Sequence, residues 1–282
     1  MDLIDALIIC EAAVGAGAAL GLRFLPEDRP VWLAGVLRIV GVAAVADLTV
    51  PLGHWLFPRG LAGNDNGLLG VILALVGTFF ALIVGFVVVV VWQSMSDADS
   101  VTAREANALA DLERVSRGFP VRIRRQVQGA ARTYARLVIH DEWPRLAGGG
   151  TSERAGAALA ELWEVYTLLG PPERDDPLYA HSMALLTELD DSRRQRLLLA
   201  AKRIPTALWL LMVADSVIIV ALAQAFGLTG AVRDRLVMIS TVGTIAFVLF
   251  LIGELDAAFS GDLKVKPDAF STVLSGMSHL ED

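Results

Sequence analysis

From Leu68 to Trp92 the chain reads LLGVILALVGTFFALIVGFVVVVVW, without a charged residue. As a helix this run rises about 37 Å, and the hydrocarbon core of a bilayer is about 30 Å thick. Soluble core helices rarely need so much apolar length, so the run reads as a membrane span. A long charged region follows it directly, so this helix joins two chemically different halves. It is either an anchor or the wall of a pore.

Composition supports a multi-span protein. More than half of the residues are apolar, and mean hydropathy is positive. The acidic balance, a formal charge of -7, argues against nucleic acid as a partner. Cys10 is the single cysteine, so neither an intrachain disulfide nor a cysteine metal site can form. His54, His140, His181 and His279 are scattered without ligand spacing. Phosphate loops, H-E-x-x-H and nucleophile elbows are missing, which points away from an enzyme and from a catalytic residue.

Five apolar segments mark the organisation, at about 3–22, 31–57, 67–92, 204–226 and 234–253. Asp2, Asp5 and the lack of a basic leader make the first a retained span rather than a signal peptide. Arg38, Asp47, Pro51 and His54 interrupt the second, yet Trp32 and Trp55 flank it about 34 Å apart, as interfacial tryptophans do. It reads as a span, with a re-entrant segment as the alternative. The expected divisions are 1–66, N-terminal membrane segments; 67–92, the candidate pore-lining span; 93–203, a cytosolic helical region; 204–253, a pair of spans; and 254–282, a cytosolic tail. Basic residues set the orientation. Arg193, Arg194, Arg196, Lys202 and Arg203 crowd the entry to the fourth span, and Lys264 and Lys266 follow the fifth. The positive-inside rule then puts 93–203 and the C-terminus in the cytoplasm and the N-terminus outside the inner membrane.

The middle region reads as helices only. Val101, Ala108, Leu109, Leu112 and Val115 share one face of 96–117. Ile123, Val127, Ala130, Tyr134, Leu137 and Val138 do so in 121–143. Gly148-Gly149-Gly150 breaks the chain, and Ser152 can cap a helix carrying Leu159, Leu162, Trp163 and Tyr166. Asp176-Pro177 is the next start signal. Its helix, with Met183, Leu185, Leu186 and Leu189, can continue through Arg203 into the membrane. The fold class is therefore all-α, a polytopic helical membrane protein with a helical cytosolic domain.

Several residues are site candidates. Gly70, Ala74, Gly77, Ala81 and Gly85 form a small-residue stripe, which suits close helix packing or a pore face. The other face carries Val76, Phe79, Ile83, Phe86 and Val90, which fit either lipid or a dewetting constriction. Glu11 and Asp215 place charge inside apolar segments, at about 2.5–3.5 kcal/mol each at a helix centre. They are structural contacts or ion-coupling groups. Glu254, Asp256 and Asp262 follow the last span, where neighbouring carboxylates can bind Ca2+; a plain interfacial loop is the other reading. Apart from that calcium, nothing implies a cofactor.

Some stretches carry more than periodicity. VVVVVW, DADSVTAREANALADLERVSRGFP, YARLVIHDEWPRL, RLLLAAKRIPTALWLL and ELDAAFSGDLKVKPDAF follow in order. Together they resemble the bestrophin-like family of bacterial membrane proteins over about 65–275. EANAL, Glu142-Trp143-Pro144 and Leu208-Trp209 after Pro205 are the more specific parts. Two features depart from the family. An extra span at 31–57 precedes the shared region, and Ala258-Phe259-Ser260-Gly261 stands where Pro-Phe-Ser-Gly is expected. The resemblance implies distant kinship to bestrophins, which are homopentameric ion channels. Their pore is lined by the helix before the cytosolic region and narrowed by apolar and aromatic side chains. It therefore implies a pentamer of this chain among membrane lipids, conducting inorganic ions, with Phe79, Ile83 and Phe86 as the neck. The alternative is a non-conducting scaffold or sensor whose cytosolic helices bind a protein partner.

Overall fold

The computed structural model describes residues 66–171, 173–225, 231–261 and 263–278. Among them the ordered elements are helices, and no strand occurs. The segments at 3–22 and 31–57, with Glu11, Arg38 and Asp47, lie outside the described residues, as does Asp262.

The first helix, α1 (Asn66–Val115), is 50 residues long. No proline interrupts it, so the apolar run and the charged stretch after it belong to one continuous helix. The turn Ser116–Gly118 and Pro120 end it. Then come α2 (Val121–Leu137), a π-helical turn (Val138–Glu142) and the short α3 (Trp143–Leu146). The helix α4 (Glu153–Thr167) starts at Ser152, whose hydroxyl accepts from the Ala155 amide at 3.1 Å. Asp176 caps α5 (Pro177–Ala201) in the same way, accepting from the Leu178 amide at 2.9 Å. After α5 come α6 (Thr206–Ala225), α7 (Ala231–Leu255) and α8 (Asp268–Ser278). The expected run from α5 into the membrane is broken: α5 stops at Ala201, and residues 202–205 are not helical. Pro205 explains the break, since it lacks an N–H and disfavours helical geometry at Ile204.

The chain divides into two compact units. One contains α1 up to Val90 and residues 204–253; the other contains 91–203 and residues from 254 onward. Among the described residues, three helices are long and apolar enough to cross a membrane, through α1, α6 and α7. This is a membrane protein. Val220 and Ala223 of α6 pack on Met238 and Val242 of α7. At the other end of the pair, the Trp209 ring lies 3.8 Å from where a Cβ on Gly253 would sit. The two helices therefore run antiparallel.

In the second unit, the polar half of α1 joins α2, α4, α5 and α8 around one core. Leu109, Leu112, Ile123, Val127, Leu162, Leu186 and Leu189 fill it. These positions keep the three- and four-residue spacing of an apolar helix stripe. The stretch after α7 closes this core from the C-terminal side. Phe270 is fully buried, and Phe259 meets Trp143 edge to face at 5.4 Å.

Candidate functional site

The membrane half of α1 presents three strips. Val84, Val87 and Val91 are buried within the chain. Phe79 and Phe86 are 56% and 67% exposed, with Ile83 partly covered between them. Ala74, Ala81 and Gly85 are exposed, and Gly70 and Gly77 partly so, on roughly the opposite side from the phenylalanines. A Cβ added at Gly77 or Gly85 would meet nothing within 4 Å. Both strips thus keep exposed residues: Phe79 and Phe86 on one, Ala74, Ala81 and Gly85 on the other. On α6, Asp215 is half-buried beside Ser216, whose hydroxyl donates to the Met212 carbonyl at 2.7 Å.

Glu254 and Asp256 are partly buried at the end of α7 and just after it. Gly261 turns the chain back there with φ of +76°. The Glu254 Oε2 lies 2.8 Å from where a Cβ on Gly261 would be. Calcium takes six to eight oxygens. Among the described residues, no three acidic, histidine or cysteine side chains gather to hold a metal. Glu254 and Asp256 could supply two of these oxygens, and Asp262, the third residue of the expected set, lies outside the described residues.

The most developed polar structure lies in the second unit, in its core. Arg196 of α5 donates to both oxygens of Glu105 on α1 and, at 2.7 Å, to Glu142. Arg193 donates to the other Glu142 oxygen at 2.6 Å. The Tyr134 hydroxyl donates to Glu105 at 2.5 Å, and the Ser152 amide to Glu142 at 3.2 Å. The Arg196 guanidinium lies over the Trp143 ring at 5.3 Å and near Phe270 at 6.0 Å. Its Nη1 lacks a hydrogen-bond partner among the described residues, and the aromatic faces stabilise the cation in another way. The π-helical turn helps: its widened register lets consecutive residues Glu142 and Trp143 both turn inward.

Charge follows this geometry. Burial opposes the charged form of Arg196, but Glu105, Tyr134 and Glu142 together outweigh it and hold the guanidinium charged. Burial and then the Glu105 charge push the Tyr134 phenol well above its usual range. Burial pushes Glu142 up, yet Arg196 and Arg193 together hold it below the ordinary value. The Ser152 hydroxyl lowers Asp141 at the rim, helped by Arg145. The cluster pairs two carboxylates with two guanidinium groups. It is built to hold helices together.

The members of this cluster sit in the stretches that carry the family resemblance. Glu105 opens EANAL, Tyr134 opens YARL, Glu142-Trp143 begins the EWP triplet, Arg196 opens RLLLAAKR, and Phe259 and Phe270 lie in the last stretch. A family model for the bestrophin-like domain matches residues 40–270. The chain belongs to the bestrophin-like domain family. Solved bestrophin homologues share the fold. A variant of a bacterial bestrophin homologue from Klebsiella pneumoniae aligns with a TM-score of 0.68 at 14% identity, covering 86% of this chain and 99% of that one. A second crystal structure of the Klebsiella pneumoniae bestrophin homologue gives 0.65 at 15%, covering 84% and 96%. Another solved membrane protein gives 0.67 at 15%, covering 86% and 98%. At this identity the likeness is one of fold. No curated protein sequence matches the chain.

Within this bestrophin-like chain, sequence reasoning placed the site on α1 and in the acidic stretch after α7. It missed Glu105, Tyr134 and Arg196 as partners. A readable signal existed. Glu105 sits in the middle of the stripe formed by Val101, Ala108 and Leu112, and Arg196 in that of Leu189 and Ala200. A charge at the centre of an apolar stripe is costly unless paired.

Proposed function

We propose that this bestrophin-like chain assembles into a homopentameric ring that conducts inorganic ions across the inner membrane. The apolar half of α1 lines the passage, and Phe79, Ile83 and Phe86 form its neck. The observation that carries the reading is the exposure of Phe79 and Phe86 on the helix that runs unbroken from the membrane region into the polar unit. A ring of such side chains can gate by dewetting and binds ions weakly enough to release them. Family membership and the bestrophin-homologue fold support this reading. Residues 93–203 and 254–282 then face the cytoplasm, with the N-terminus outside, in accord with the basic residues before α6. Lipids cover whichever strip of α1 is turned from the axis. The activity is conduction, with no catalytic residue. Native mass of detergent-solubilised protein tests the assembly: five copies are expected, and a monomer refutes the ring. Planar-bilayer recording tests conduction: unitary currents should change when Phe79, Ile83 and Phe86 become alanine. Silence across ions and voltages refutes the channel.

A further inference from the structure

We propose that the exposed faces of α2 and α4 are the two halves of one contact between neighbouring copies of this chain. The inference rests on the ring reading and assigns the surfaces that close the ring in the second unit.

The first half is basic. Between Arg114 and Arg136 there are seven arginines and no acidic residue. The buried side of α2 carries Ile123, Val127, Ala130, Ala131 and Tyr134. Arg122, Arg125, Gly129 and Arg136 are exposed on the opposite side. Neither an ion pair nor a hydrogen bond engages the side chains of these three arginines among the described residues. A Cβ on Gly129 would meet nothing within 4 Å.

The second half is acidic. Between Glu153 and Asp191 there are nine acidic residues and two arginines. The exposed face of α4 shows Glu153, Ala157, Ala160, Glu161 and Glu164, with the exposed Arg154 at the edge beside Glu161. Its three glutamates likewise have no side-chain partner among the described residues.

The two faces match in layout as well as sign. Each puts charge near its ends and small residues between: Gly129 on one, Ala157 and Ala160 on the other. The charged span is about 21 Å on α2 and about 17 Å on α4 at 1.5 Å per residue. Small residues in the middle let two helices cross closely while the long arginines reach the glutamates at the edges. These faces cannot satisfy each other within one chain, because α2 and α4 already pack together through their buried sides. A second copy supplies the complement. The chain carries a formal charge of -7, so copies repel unless opposite charges meet locally. Contact between two different faces is heterologous, the type that closes rings; a two-fold contact on α2 would set arginine against arginine. Exposed pairs add little energy each, but they fix register and orientation.

The test uses the full chain in detergent, with Cys10→Ser as background. Gly129→Cys is placed in one tagged copy and Ala160→Cys in another. Mild oxidation should link the two tags, and a chain carrying both substitutions should give a ladder up to the ring. Arg125→Glu with Arg136→Glu should weaken assembly on the order of tenfold or more, as should Glu161→Arg with Glu164→Arg, and combining the four should restore it. A ring of normal size with no cross-link and no response to reversal overturns this contact and leaves the ring reading standing. Assembled rings that bind phosphatidylglycerol vesicles or an acidic peptide through these arginines also overturn it, since the face would then be free. A monomeric wild type overturns both.

Discussion

Arg196 grips Glu105 side-on, with Nε donating to Oε2 at 2.6 Å and Nη2 to Oε1 at 2.9 Å, and neither side chain is exposed. The two residues are 91 positions apart and join α5 to the long helix α1. A buried pair of this kind gains little over an apolar pair of the same shape, but losing one member strands a charge. Arg196→Met should therefore cost about 3–5 kcal/mol. The melting temperature of the detergent-solubilised protein should fall on the order of 10 °C. Arg196→Lys should not rescue it, because an ammonium cannot span two carboxylates with the planar fork of a guanidinium. A melting temperature unmoved by Arg196→Met would mean that the cluster does not secure the core.

Glu142 makes the same core sensitive to acid. Its carboxyl is held below the ordinary value of 4.5 because Arg196 and Arg193 outweigh the effect of burial. A carboxylate depressed on folding adds stability above its unfolded value and loses it as pH falls through the folded value. The loss should thus lie below about pH 4.5. Glu142→Gln should start less stable at neutral pH and show a shallower decline on acidification. Melting curves from neutral pH to about pH 3 check this. Equal slopes for the two proteins would assign the acid response to other groups.

Much of this architecture is legible before any coordinates. The stripes of 96–117 and 121–143 reappear as buried faces of α1 and α2, and Ser152 and Asp176 cap the helices they introduce. These features are local, set by periodicity and by side chains reaching their own helix ends. The meeting of Glu105, Glu142 and Arg196 is not local. Residues 54 and 91 positions apart share no period, so the sequence exposes the charges but not their pairing. Phe270 is hidden for the same reason, since its partners Tyr134 and Trp143 lie on distant segments. The candidate neck is a different case. Its helix is plain from composition, yet which of its faces is covered depends on non-local contacts, which periodicity does not encode.

Gly261 carries a prediction about the turn after α7. Its φ of +76° lies where side chains other than glycine are strained, and a Cβ there would come within 2.8 Å of Glu254 Oε2. The Ala258 carbonyl accepts from the Val265 amide at 2.8 Å across this turn, which sets Phe259 against Trp143. Gly261→Ala should destabilise by about 1–3 kcal/mol. Glu254→Ala in the same chain should recover the part due to the clash and leave the part due to backbone geometry. Thermal unfolding of the single and double variants separates the two. Additive losses would show that Glu254 does not crowd the turn.

The two strips of α1 separate by chemical access. Phe79 and Phe86 lie roughly opposite Ala81 and Gly85, so an assembled ring cannot turn both to its axis. Phe79→Cys and Ala81→Cys are introduced singly with Cys10→Ser. A small charged thiol reagent modifies residues that face water far faster than those that face lipid or a neighbouring helix, because the thiolate is the reactive form. If the phenylalanines form the neck, Phe79→Cys reacts faster, and the modification alters unitary current. Modification should block or open the passage, since a charge placed in an apolar constriction wets it. Faster reaction at Ala81→Cys, with an effect on current, would instead put the small-residue stripe at the axis and turn Phe79, Ile83 and Phe86 toward lipid.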